Sequence, residues 1–141
     1  MRLAALRSIE NAYWTAIAAA LDAASSPGQA WLCSGPVPAR GVALSGSNHI
    51  ICQFTLQKPC GSVASGALTL NPVNYAPVLN DSEHTFGRFV DGDGNFVFDV
   101  DTGVVGQTLP DGTTAAWMWN MASYGIGGLL VPTNLILRFP P

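Results

Sequence analysis

From residue 29 onward glycine and proline interrupt this sequence too often for a helix to propagate. Fifteen glycines and ten prolines are spread along 141 residues. Proline removes a backbone donor and glycine releases φ, so each one favours a turn. Only the N-terminal stretch escapes this punctuation. Over residues 3 to 23, Leu6, Ile9, Tyr13, Ile17 and Leu21 recur at spacings of three and four, on a background of alanine. That spacing predicts a helix, and Ser25-Ser26-Pro27-Gly28 ends it.

The remainder reads as about eight short strands separated by turn signals. Gln29–Ser34 is the first, and a Gly/Ser-rich connection over 40–47 follows it. His49–Leu56 places Ile50, Cys52, Phe54 and Leu56 on one face, and Lys58-Pro59-Cys60-Gly61 predicts a turn. Ser65–Leu70 is a strand broken by Asn71-Pro72, and Val73–Leu79 is extended at best because of Pro77. Glu83–Val90 and Asn95–Val100 flank Asp91-Gly92-Asp93-Gly94, a hairpin signal because tight hairpin turns need positive φ. Gly103–Leu109 before Pro110-Asp111-Gly112, then Ala115–Ser123 with Trp117, Trp119 and Met121 alternating, are further strands. Asn134–Phe139 is the last, stopped by Pro140-Pro141. The expected fold is mainly β: a jelly-roll-like antiparallel β-sandwich with one N-terminal α-helix. Residues 1–28 carry the helix and 29–141 the sandwich, as a single domain without a linker or internal repeat.

Charge narrows the function. Only 11% of residues are charged and 48% are hydrophobic, against about 25% charged in an average soluble domain. A chain this short cannot bury that apolar fraction in one core. Some of its surface is therefore expected to be covered by copies of itself or by a larger assembly. Arg2, Arg7, Arg40, Lys58, Arg88 and Arg138 stand apart, so no phosphate-neutralising cluster forms and nucleic acid is not an expected partner. Glu10 and Asn11 interrupt the first apolar stretch, which argues for a retained helix over a cleaved secretory leader. No apolar run reaches the length of a membrane span, so no membrane association is expected.

Motifs for chemistry are sparse. Asp91, Asp93 and Asn95 match the start of a calcium loop, but Phe96 and Thr102 stand where that loop needs Gly and Glu. The hairpin reading is preferred, with calcium as the alternative. His49 and His84 adjoin no evident nucleophile, and no GxSxG, HExxH or P-loop pattern occurs. Cys33, Cys52 and Cys60 are an odd set without a CxxC pair, which favours small buried thiols over a disulfide framework or zinc site. Asp81 and Glu83 with Asp99 or Asp101 offer carboxylates for sugar chemistry, with nothing to select them. No cofactor and no catalytic residue is expected.

Three stretches resemble small virion proteins of tailed bacteriophages. They are Leu32-Cys33-Ser34-Gly35-Pro36-Val37-Pro38, Ile51-Cys52-Gln53-Phe54-Thr55-Leu56-Gln57-Lys58-Pro59 and Ser65-Gly66-Ala67-Leu68-Thr69-Leu70-Asn71. The run from Phe86-Gly87-Arg88-Phe89 through the Asp91-Gly92 turn to Asp101-Thr102-Gly103 is similar to their hairpin. The resemblance covers roughly residues 20–105 and is nearest to the jelly-roll capsid cement (decoration) proteins of Bordetella-type podovirus heads. It implies a structural protein, not an enzyme, that assembles in the host cytoplasm onto the outer surface of an HK97-like head. There it would bridge neighbouring major capsid proteins, its expected partners alongside a second copy of the chain in a homodimer.

The candidate partner contacts are Tyr13, Trp14 and Ile17 on the helix, Trp117 and Trp119, and Phe139 on the last strand. Two other readings stay open. One is a tail or fibre module that stacks a host glycan on Trp117 or Trp119. The other is a small sandwich hydrolase with a convergent carboxylate site or a Cys–His site pairing His49 or His84 with one of the three cysteines.

Overall fold

The computed structural model describes residues 2–72, 75–110, 112, 114–132 and 135–139. Among the described residues one helix, α1 (Arg2–Leu21), precedes nine strands. These are β1 (Gln29–Ser34), β2 (His49–Ala64), β3 (Ala67–Pro72), β4 (Ala76–Pro77), β5 (His84–Val90), β6 (Phe96–Val104), β7 (Trp117–Trp119), β8 (Leu129–Leu130) and β9 (Leu135–Arg138). Seven of them form a nearly closed sheet in the order β7-β6-β5-β1-β2-β3-β9, and β4 and β8 form a separate ribbon. Within that order β5 returns to lie beside β1, giving the β5-β1-β2-β3 arrangement of a Greek key. The fold is mainly β, a jelly-roll-like sandwich with one N-terminal helix, as the punctuation of the sequence predicts.

β2 builds the corner of the sandwich. Its first half pairs with β1, from Ser34↔His49 to Gln29↔Thr55. Its second half pairs with β3, from Gly61↔Leu70 to Ala64↔Ala67, with the ladder interrupted between Leu56 and Gly61. The predicted turn at Lys58-Pro59-Cys60-Gly61 is thus a bend inside one long strand. The helix exit holds that bend. The Cys60 N–H donates to both Asp22 carboxylate oxygens at 3.0 and 3.1 Å, and Lys58 Nζ donates to the carbonyls of Asp22 and Ala24. These carbonyls lie at and just past the helix C-terminus, where a cation is favoured.

Leu68, Leu70, Leu135 and Leu137 from one side, with Leu32, Phe54 and Phe89 from the other, form one core. The helix joins it through Trp14, Ile17, Ala18 and Leu21, a stripe at spacings of three and four. This rotates the expected apolar face. Ile9 and Tyr13 point to solvent, because burying the larger Trp14 indole turns them outward.

Other differences are local. The strand expected over Gly103–Leu109 is the end of β6 followed by a turn. There the Gln107 N–H bonds to the Val104 carbonyl and Gly106 takes a φ of 89°. Ala115–Ser123 shortens to β7, which runs parallel to β6, and Met121 is exposed. The β2–β3 hairpin closes on Ser65 and Gly66, both at positive φ, and the Asn11 side chain accepts from the Gly66 N–H at 2.7 Å. Val73, Asp111, Asn134 and the Pro140-Pro141 stop lie outside the described residues.

Candidate functional site

The six candidate contact residues divide into two groups. Trp117 and Trp119 are buried, and their rings lie 6.1 and 5.7 Å from that of Phe54. Gly87 makes room for the Trp117 indole, since a Cβ there would sit 2.6 Å from the ring. The pair fills the core and presents no stacking surface, so the expectation of a contact through Trp117 and Trp119 is corrected. Trp14 is likewise buried and Ile17 half-buried.

Tyr13 and Phe139 remain at the surface, 45% and 39% exposed. Their ring centroids are 5.0 Å apart, and each lies 5.0 to 5.2 Å from the Trp14 ring beneath. The helix and the last strand, distant in sequence, thus meet in one aromatic cluster. Ile9, 65% exposed, lies one helical turn before Tyr13 and extends the apolar surface. β9 ends the seven-stranded sheet, and among the described residues no strand pairs with its outer side, which can accept another strand. Next to it opens a groove of about 430 Å³, lined by Arg7, Glu10, Ile136, Arg138 and Phe139 among others.

Several of the polar groups singled out in the sequence, Asp91, Asn95, His84, Asp99 and Asp101, are held in structural bonds. Asp91 accepts from the N–H groups of Asn95 and Asp93 and from the Asn95 amide. The Asn95 N–H, with the other turn donors, holds the Asp91 carboxyl below its ordinary pKa. The predicted hairpin is present and this carboxylate organises its turn. No group of three or more metal-ligating side chains occurs among the described residues. Asp99 is bound to Arg88 and Asp101 accepts from the Ala116 N–H, so both carboxylates are committed to structural bonds. The three cysteines are buried and unpaired. Burial pushes the thiols of Cys33 and Cys60 up to about 12 and that of Cys52 to about 11, so none is a thiolate near neutral pH.

His84 is the most constrained of these groups. Its Nε2 lies 2.7 Å from the Met121 carbonyl, which can only accept, so Nε2 carries the proton. The Thr102 hydroxyl then donates to Nδ1 at 2.7 Å. Burial lowers the imidazole pKa. Both nitrogens tie the start of β5 to β6 and to the chain after β7, beside a cavity of about 210 Å³. His49 is exposed and makes no part of this arrangement.

Sequence reasoning did not find the Arg88–Asp99 pair. It is bidentate at 2.8 and 2.9 Å, with Arg88 also donating to the Val42 carbonyl and lying over the Phe96 ring. The signal was present, because the Asp91-Gly92 hairpin sets residues 88 and 99 directly opposite each other.

No protein-family model, curated protein or solved structure matches this chain.

Proposed function

We propose that this chain is a structural virion protein, a cement protein that binds the outer surface of an HK97-like phage head and bridges neighbouring major capsid proteins. The observation that carries the reading is the apolar cluster of Ile9, Tyr13 and Phe139 beside the open edge of β9, on a molecule with few charges. Exposed aromatic and aliphatic groups next to an unpaired strand suit a protein surface: side chains bury apolar area while the strand extends a partner sheet. The resemblance of residues 20–105 to cement proteins points the same way. Each contact is modest, and repetition over a closed shell multiplies it. The glycan-stacking alternative loses its platform, since Trp117 and Trp119 are in the core.

The test is the number of copies per particle, by quantitative mass spectrometry of purified virions of the phage encoding this chain. The cement reading expects near parity with the major capsid protein. A few copies, or none, overturns it.

A further inference from the structure

The two-stranded ribbon carries a second apolar surface, separate in sequence from the helix and β9. Side chains along it alternate strictly. Ala76 and Val78 are buried, while Tyr75, Pro77 and Leu79 point out. On the paired strand Leu130 turns inward and Leu129 and Val131 turn out. Register sets Pro77 opposite Leu129 and Ala76 opposite Leu130, so the outward residues of both strands share one face. Ile126 joins them from the turn before β8, where the Gly127 N–H bonds to the Val78 carbonyl and the Val78 N–H to the Gly128 carbonyl. Tyr75, Leu79, Ile126, Leu129 and Val131 are between 53% and 66% exposed. Neither 71–80 nor 121–137 contains a charged residue.

We propose that this face is a homodimer interface, at which two copies of the chain bury their ribbons against each other about a two-fold axis. Area favours a second copy. At roughly 100 Å² for each half-exposed large apolar side chain, the five present about 500 Å², near the largest patch a free monomer normally shows. A two-fold pairing removes about 1,000 Å² in total, the lower bound for a specific interface. Chemistry favours it as well. A two-fold contact must be self-complementary, and a face without charge brings no like charges together. The inference does not depend on the cement reading, because the assembly is read on the isolated chain.

Sedimentation velocity of the full chain is expected to show a dimer from the micromolar range upward. Leu129→Glu is expected to weaken it about a hundredfold, since a carboxylate would be desolvated at the centre of the face. Tyr13→Glu, on the helix, is expected to leave the dimer unchanged. Far-UV circular dichroism checks that each variant folds. If Leu129→Glu does not fold, Val131→Lys at a comparably exposed position gives the reading. A wild type that stays monomeric overturns the proposal, as does a folded Leu129→Glu or Val131→Lys that dimerises like the wild type. Absence of the chain from virions sinks the cement reading and leaves this one standing.

Discussion

His84 couples the stability of this protein to pH just below neutrality. Burial lowers its folded pKa below the unfolded value near 6.5, so the folded state binds fewer protons than the unfolded state. The stability tied to neutral His84 is therefore complete above the unfolded pKa and drains away as pH falls from there through the folded pKa. Urea midpoints are expected to fall between neutral pH and about pH 5, and His84→Gln is expected to flatten that slope. An unchanged slope in the variant would assign the acid sensitivity to another group. Arg88 and Asp99 pose the other residue-scale question. Removing one member of a nearly buried pair strands the other, so Asp99→Asn is expected to cost about 3 kcal/mol. Replacing both by apolar residues of similar volume, Arg88→Met with Asp99→Leu, is expected to recover most of that loss in a double-mutant cycle. Gly87→Ala tests the core from its tightest point: a methyl group pressed into the Trp117 ring is expected to destabilise by about 1–3 kcal/mol.

At the scale of elements, the joint between the helix exit and the bend of β2 decides whether α1 belongs to the sandwich. Asp22 gives the Cys60 N–H its partner, and Cys60 is buried. Asp22→Ala leaves that donor unsatisfied, at an expected cost of about 1–3 kcal/mol. Amide exchange across α1 is expected to speed up more than exchange in β5, because the lost contact lies where helix meets strand. This joint also marks the limit of what the sequence discloses. The helix, the hairpin at Asp91 and the first and last strands follow from local spacing and turn chemistry, and local rules suffice for them. Lys58-Pro59 reads as a turn because nothing local reveals that Asp22, far back in the chain, supplies the acceptor that carries the strand past it. The helix face is mis-set for the same kind of reason. Ile9 and Tyr13 fit a helical period as well as Trp14 does, and tertiary packing chooses between them. For Trp117 and Trp119 core packing is the more common reading of such an aromatic segment, and Gly87, which opens space beneath the Trp117 ring, shows it to hold over a stacking platform. The ribbon escapes notice because two-residue strands carry almost no periodic signal, although the alternation of Tyr75, Pro77 and Leu79 was there to be read.

For the whole molecule, the low charge and the two apolar surfaces make one argument. The proposed bridging role needs two sites that act together, and the two surfaces proposed for it are the α1–β9 cluster and the β4–β8 ribbon. If the ribbon pairs two copies and the helix–β9 cluster grips the shell, each dimer carries two grips. Its attachment then gains from effective concentration, typically by a factor of about 10²–10⁴. The two surfaces should consequently fail in different ways. Tyr13→Glu with Phe139→Glu is expected to abolish binding to undecorated heads while leaving the dimer intact. Leu129→Glu is expected to yield a monomer that still binds heads, more weakly by that avidity factor and with faster release. Titration of each variant onto undecorated heads, followed by pelleting, measures both. Salt separates this apolar mechanism from an electrostatic one. Surface charge attraction fades as the Debye length shrinks to about 3 Å at 1 M, whereas apolar burial does not. Head binding and dimerisation are both expected to persist in 1 M NaCl, and release of the wild-type protein there would place its attachment on charges instead.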